Sequence, residues 1–229
     1  MDTKSLLVLT GPTGVGKTAY VNALLDRFPF EVINLDSCQV YTFFRIGTGR
    51  GDGQHAHRRH LYGFLSPFDK LEPQRYVEAA LAMAHEIRTW GHIPLFEGGS
   101  RSLLRALREA APLALIGLRP PGDPGWILRK LEQRVEGFFE QDKIIKEVEA
   151  GLRFGYADTV LMRDPMVYQQ TIAYLEGRVG LEETKRAMVC SMKEMHDDQM
   201  ARFREQDIAW IDADSHDYEA LWRLVEPWL

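Results

Sequence analysis

The sequence predicts an α/β fold: a parallel sheet flanked by helices, with a helical cap towards its C-terminal half. Three observations lead there. The chain opens with an apolar run that passes through a glycine-rich loop straight into a helix. Short apolar runs then alternate with longer stretches of helical periodicity, as βαβ units require. From about residue 123 to 205 the pattern is almost wholly helical.

Residues 6–9 are continuously apolar, as a strand buried on both faces demands. Gly11, Gly16, Lys17 and Thr18 fill the pattern G-x-x-x-x-G-K-[ST], and residues 19–28 read as the helix behind it. The arrangement is a P-loop, which sharpens the expectation to a P-loop NTPase-like sheet. In such a loop glycines let consecutive amides turn towards phosphate oxygens, and the helix N-terminus adds positive dipole. Lys17 supplies a point charge and the Thr18 hydroxyl a ligand for Mg²⁺.

A second strand over 31–35 follows the turn at Pro29 and Phe30. It ends in Asp36-Ser37-Cys38-Gln39-Val40-Tyr41, at the carboxyl end of a strand, where open α/β sheets place their chemistry. A glycine-rich loop over 46–53 and the basic run His55-Ala56-His57-Arg58-Arg59-His60 come next, then a short strand candidate over 61–65. Pro73 suits the first turn of a helix that runs to residue 90. A strand over 93–96 ends in Glu97-Gly98-Gly99-Ser100, with a helix over 101–110 behind it. A strand over 113–118 leads into a proline- and glycine-rich connection, 119–125. Helical periodicity covers 126–154 with a break near Gly137, then 165–176 and 181–205. A strand at 208–211 and a helix at 218–228, packed through Trp222 and Trp228, complete a single domain over 1–229.

Length and composition suit this reading. The chain has 229 residues, 45% of them hydrophobic and 27% charged, enough for a sizeable core. A net charge of −5 provides no global basic field, so no large nucleic acid is expected as partner. Two cysteines, Cys38 and Cys190, without C-x-x-C spacing make neither a disulfide framework nor a zinc site. With no leader-like or membrane-length apolar stretch, the expected location is cytoplasmic.

Asp36 is the candidate general base, because its place after the second strand lets it face whatever the loop holds. An Asx turn would use the same residue for local hydrogen bonding alone. Ser37, Thr48 and Ser100 follow strands or turns and are placed to meet in the same crevice. The histidines at 55, 57 and 60 lack a companion carboxylate or an i, i+4 pair, and Arg58 and Arg59 would repel a cation. That run reads as a solvated, phosphate-facing loop. Arg134 can reach an anion from the cap. The residues alone reach a Mg²⁺-assisted enzyme of phosphorylated substrates, with kinase and other transferase chemistries both fitting.

The ordered set Gly-Pro-Thr-Gly-Val-Gly-Lys-Thr (11–18), Leu-Asp-Ser-Cys-Gln-Val-Tyr (35–41), Ile-Gly-Thr-Gly (46–49) and Glu-Gly-Gly-Ser (97–100) resembles the isopentenyltransferase family. That family joins adenylate and tRNA dimethylallyltransferases. The likeness continues through Leu-Glu-Gln-Arg-Val (131–135), Tyr-Leu-Glu-Gly (174–177) and Trp210-Ile211-Asp212. It implies that the loop grips the diphosphate of dimethylallyl diphosphate while an adenine amine attacks the allylic carbon. On matched positions, Asp36 would accept the amine proton. Thr13, Gly14, Val15, Gly16, Lys17, Thr18 and Arg134 would hold the diphosphate, with Thr18 on Mg²⁺. Ser37, Thr48 and Ser100 would line the acceptor side.

The resemblance also sets the expected acceptor. The tRNA branch carries a long insert, whereas only residues 107–130 separate Ala106 from Leu131 here. Where that branch has a basic Lys-Arg-Gln run, this chain has His196-Asp197-Asp198-Gln199. Both features point to a free adenine nucleotide, AMP, ADP or ATP, with a tRNA or another heteroaromatic amine as the alternative. Gln169 stands where the family has an arginine, removing one cation. Met166 stands where some adenylate enzymes have an aspartate for hydroxylated donors, which favours the plain dimethylallyl group.

Overall fold

Six parallel strands form the centre of the molecule: β1 (Leu6–Thr10), β2 (Phe30–Asn34), β3 (Arg59–His60), β4 (Ile93–Glu97), β5 (Leu113–Arg119) and β6 (Ala209–Asp212), in the order β3-β2-β4-β1-β5-β6. The computed structural model describes residues 5–50, 53–123, 125–213 and 218–229. Gly51 and Asp52 of the glycine-rich loop, and Pro124 of the connection after β5, lie outside the described residues.

The apolar run of β1 is explained by the two layers around it. Leu6 and Val8 point into one core, with Tyr76, Val77, Leu103 and Leu104 of α2 (Pro73–Thr89) and α3 (Arg101–Ala110). Leu7 and Leu9 point into the other, with Tyr20, Val21 and Leu221 of α1 (Lys17–Arg27) and α8 (Tyr218–Val225). Each such side chain contributes about 1.5–3 kcal/mol on burial, so a strand with two apolar faces is pinned at the centre. Four further helices, α4 (Trp126–Phe139), α5 (Lys143–Arg153), α6 (Tyr168–Leu175) and α7 (Leu181–Phe203), occupy the predicted cap region. Trp222 meets Phe28 edge-on and Arg27 over its face, while the Trp228 indole donates to Ser5 O.

Three elements differ from the sequence expectation. No strand forms over 61–65, because Leu61 (φ 60°) and Gly63 (φ 57°) take left-handed conformations. Pairing falls instead on Arg59–His60, with a single bridge between Tyr41 and Leu65. The long cap helix breaks at Gln141 and Asp142, both at positive φ, and not at Gly137. A lone glycine costs a helix only about 1 kcal/mol, and Gly137 stays helical. Residues 165–167 stay outside α6 because the Asp164 carboxylate accepts the Met166 and Val167 amides in a local turn.

Candidate active site

The carboxyl ends of β1, β2 and β4 are locked together by short-range hydrogen bonds. The Thr10 hydroxyl donates to Gly98 O (2.8 Å), Gly98 N to Leu9 O (3.1 Å), Leu35 N to Glu97 O (2.6 Å) and Ser100 N to Leu35 O (3.1 Å). This crossing needs glycine at 98: φ is +152°, and a Cβ would fall 2.3 Å from the Leu35 carbonyl carbon. The three loops that follow these strands therefore open into one space.

That space is a cavity of about 490 Å³. Thr13, Gly14, Gly16, Lys17 and Thr18 line it from the P-loop, Asp36 and Ser37 from the turn after β2, Thr48 from the glycine loop, Ser100 from the start of α3, and Arg134 from α4. All of the candidate residues meet there except Val15, whose side chain is buried in the core beside α1. Only the Val15 amide is left to serve a ligand. Gly16 caps α1 at φ +92°, leaving Lys17 and Thr18 on its first turn.

The cations of the site are held close to the loop. Lys17 Nζ donates to Gly11 O (2.9 Å) and Pro12 O (3.0 Å). Burial lowers its pKa, while the Glu97 and Asp36 carboxylates pull it back up. Arg134 Nη1 donates to the Thr13 hydroxyl (3.3 Å), and its guanidinium lies over the Phe138 ring. Lys130, one turn before Arg134 on α4, also lines the cavity. Sequence reasoning passed over Lys130, although its i, i+4 spacing to Arg134 was there to be used.

Thr13 is fixed from above by α7. Its amide donates to Gln199 Oε1 (2.6 Å), and its carbonyl accepts Nδ1–H of His196 (2.8 Å). His196 is buried, which lowers its pKa, while the bond to Thr13 O pulls it back up. The neighbouring acids are spent locally: Asp197 pairs with Lys193 (2.6 Å) and Asp198 with Arg202 (2.8 Å). The segment read from sequence as a repulsive acidic patch is a support for the phosphate loop.

Asp36 makes the local Asx turn and also lines the cavity. One oxygen accepts the Cys38 amide (2.8 Å) in an Asx turn, and the other accepts Gln39 Nε2 (3.3 Å) at the cavity. Gln39 Nε2 donates to Thr48 O as well (3.3 Å), so one amide group ties the base candidate to the glycine loop. The Thr48 hydroxyl proton goes to the carbonyls of Phe44 and Arg45, leaving lone pairs for the cavity. Ser100 Oγ lies 3.3 Å from Ser102 Oγ. Burial raises the pKa of Cys38, so it presents a thiol.

Apart from the exposed Ala56 and His57, the basic run is turned inward, contrary to the expected solvated loop. Arg58 donates to the carbonyls of Leu25, Phe28 and Phe30, and His60 pairs with the buried Glu31 (2.9 Å). His55 meets Asp26 (2.7 Å). Arg59 is paired with Glu97 (3.0 Å), whose other contact is the Tyr62 hydroxyl (3.0 Å). These cations satisfy strand and helix ends that burial would otherwise leave unpaired. Gln169 donates to Met162 O (2.6 Å) and does not line the cavity, whereas Met166 does.

Among the described residues, no group of three or more His, Cys, Asp or Glu side chains could hold a metal ion. The oxygen donors at the loop, led by Thr18, suit a hard cation that arrives with phosphate oxygens of its own.

Comparisons with known proteins bear on the fold and on family likeness. The IPP transferase family model matches residues 39–114. A tRNA dimethylallyltransferase of Nitrosomonas europaea is 33% identical over 138 residues, 58% of this chain and 41% of that protein. One of Bordetella avium is 36% identical over 111 residues, 48% of this chain and 36% of that protein. The aligned part thus spans less than half of these relatives. Among solved structures, the tRNA isopentenylpyrophosphate transferase of Bacillus halodurans superposes with a TM-score of 0.84 at 21% identity, covering 98% of this chain and 95% of that one. The Staphylococcus epidermidis counterpart gives 0.84 at 14% identity, covering 98% of both. These two likenesses establish the fold. Among the described residues, no helix is long and apolar enough to cross a membrane.

Proposed function

We propose that the chain is an enzyme of the isopentenyltransferase family, as its matches to that family support, and that it transfers a dimethylallyl group from dimethylallyl diphosphate to the exocyclic amine of an adenine in tRNA. The observation that carries this reading is a single cavity shared by a phosphate loop, two added cations (Lys130 and Arg134) and the Asp36 carboxylate. Lys17, Arg134 and the loop amides hold the diphosphate, and Asp36 faces the amine.

In the reaction the amine nitrogen forms a bond to the allylic carbon as the carbon–oxygen bond breaks. The electron pair of that bond leaves with the diphosphate, and the surplus amine proton passes to Asp36. Negative charge grows on the departing oxygen, where fixed donors are most effective; removing one such donor costs about 2.7–4 kcal/mol in comparable sites. Asp36 serves as a modest base, since the amine acidifies as its new bond forms. Thr18 would hold Mg²⁺ together with diphosphate oxygens, adding charge neutralisation for the leaving group. The apolar side chains of Leu161, Met166 and Val167 line the same cavity and suit a dimethylallyl tail without a hydroxyl.

The choice of acceptor departs from the sequence expectation of a free nucleotide without a large nucleic-acid partner. The relatives that match are named for tRNA. Solved chains with that name share this fold over nearly their whole length, so a missing insert carries little weight. The acids at 197 and 198 are internally paired. A groove of about 470 Å³ also shares Ser37, Gly99 and Ser100 with the site and adds Arg101, Arg105 and the mutually paired Asp198 and Arg202. Exposed Arg101, Arg105 and Arg108 recur along one face of α3, a local basic track that fits a phosphodiester chain despite the negative net charge.

The test is incubation with dimethylallyl diphosphate, Mg²⁺ and either tRNA or AMP, followed by mass analysis of the acceptor. Prenylated tRNA is the expected outcome. Product from AMP alone would restore the free-nucleotide reading.

A further inference from the structure

We infer that Glu147 is a positioning residue, through which the helical cap sets the acceptor side of the active site; this rests on the prenyl-transfer reading above. Glu147 lies on α5, is half-buried, and does not line the cavity. Its carboxylate accepts three consecutive backbone amides of the glycine loop: Arg45 (2.6 Å) and Ile46 (2.8 Å) on one oxygen, Gly47 (3.0 Å) on the other. The Tyr168 hydroxyl of α6 donates a fourth bond (3.0 Å). A carboxylate accepts all four because it has two oxygens and no donor of its own.

The held turn leads directly into the site. Thr48, the next residue, presents the carbonyl that accepts Gln39 Nε2, and that same nitrogen donates to Asp36. Gly49 packs so closely on Arg134 that a Cβ would lie 2.6 Å from Nη2. Gly47 sits on the Tyr168 ring in the same way, at 2.6 Å from the ring carbon and hydroxyl. One carboxylate on the cap thus fixes the loop that orients the base and backs the diphosphate-binding guanidinium. Displacement by about 1 Å in such a frame can cost on the order of a hundredfold in rate.

The test uses Glu147→Gln and Tyr168→Phe in the full chain. Glutamine keeps the size of the side chain but turns an NH₂ donor towards amide donors. We expect Glu147→Gln to speed hydrogen exchange at the amides of 45–47 by about tenfold or more, through local opening. It should raise the acceptor KM by about tenfold while the donor KM moves less than about threefold. Tyr168→Phe, which removes one bond of four, should give a smaller change in the same direction. Unchanged exchange at 45–47 in Glu147→Gln would overturn the positioning role whatever happens to turnover. So would an equal rise in donor and acceptor KM, the mark of general loosening. A wild-type protein that prenylates neither tRNA nor AMP would overturn the proposed function and, with it, the acceptor wall assigned to Glu147.

Discussion

At the scale of single residues, the proposed reaction divides its chemistry between Asp36 and the cations Lys17 and Arg134. Asp36→Asn keeps the Asx-turn acceptor at one oxygen but removes the proton acceptor. It should lower kcat by about 10²–10⁴-fold, with donor binding little changed in a direct titration. If Asp36→Asn turned over like the wild type, the base assignment would be lost while the phosphate site stood. Much of this was legible in the sequence, because a nucleotide-type loop and a carboxylate after the next strand are local signals. Val15 has surroundings that the motif does not report. The motif counts it as a loop amide, whereas its side chain is packed in the core. Glu147 had no local signature, since the amides it holds lie about a hundred residues away on another element.

At the scale of elements, α7 holds the phosphate loop through a buried neutral histidine and Gln199. His196 has a lowered pKa in the fold because of burial. An unfolded histidine binds its proton near pH 6.5, so below that pH the unfolded chain gains protons that the native chain refuses. Stability contributed by neutral His196 is therefore fully present above about pH 6.5 and is lost as the pH falls from there towards the folded value. Thermal melts should show the midpoint dropping between about pH 7 and 5.5, with a shallower drop in His196→Gln. Equal slopes for the two proteins would place the acid sensitivity elsewhere. The sequence comparison weighed 196–199 only by charge; a helix has an inner and an outer face, and His196 and Gln199 both turn to Thr13 of the phosphate loop. The break at 140–142 was hidden as well, because residues that adopt positive φ there are ordinary by type.

At the scale of the whole molecule, the proposed tRNA acceptor rests on where charge is concentrated rather than on its net value. Arg101 and Arg105 begin a track at the cavity mouth, although the chain carries −5 overall. Replacing both by alanine should weaken tRNA binding by about tenfold at moderate salt. It should also make the dependence of binding on log salt shallower by about two counterions, with AMP affinity unaffected. An unchanged salt slope would remove α3 from the acceptor path. The fold itself was legible at this scale because alternating strands and helices admit few topologies. The acceptor was not, since net charge and chain length average over a surface whose basic face is local.

The central claim is that the loop holds a diphosphate about to leave and that the bond broken is carbon–oxygen. It is tested most directly by following both ends of dimethylallyl diphosphate in one reaction with tRNA. The account predicts inorganic diphosphate and prenylated adenine in equal amounts, and neither product with Lys17→Ala. Release of monophosphate with a phosphorylated acceptor, or diphosphate release without a prenylated base, would contradict it.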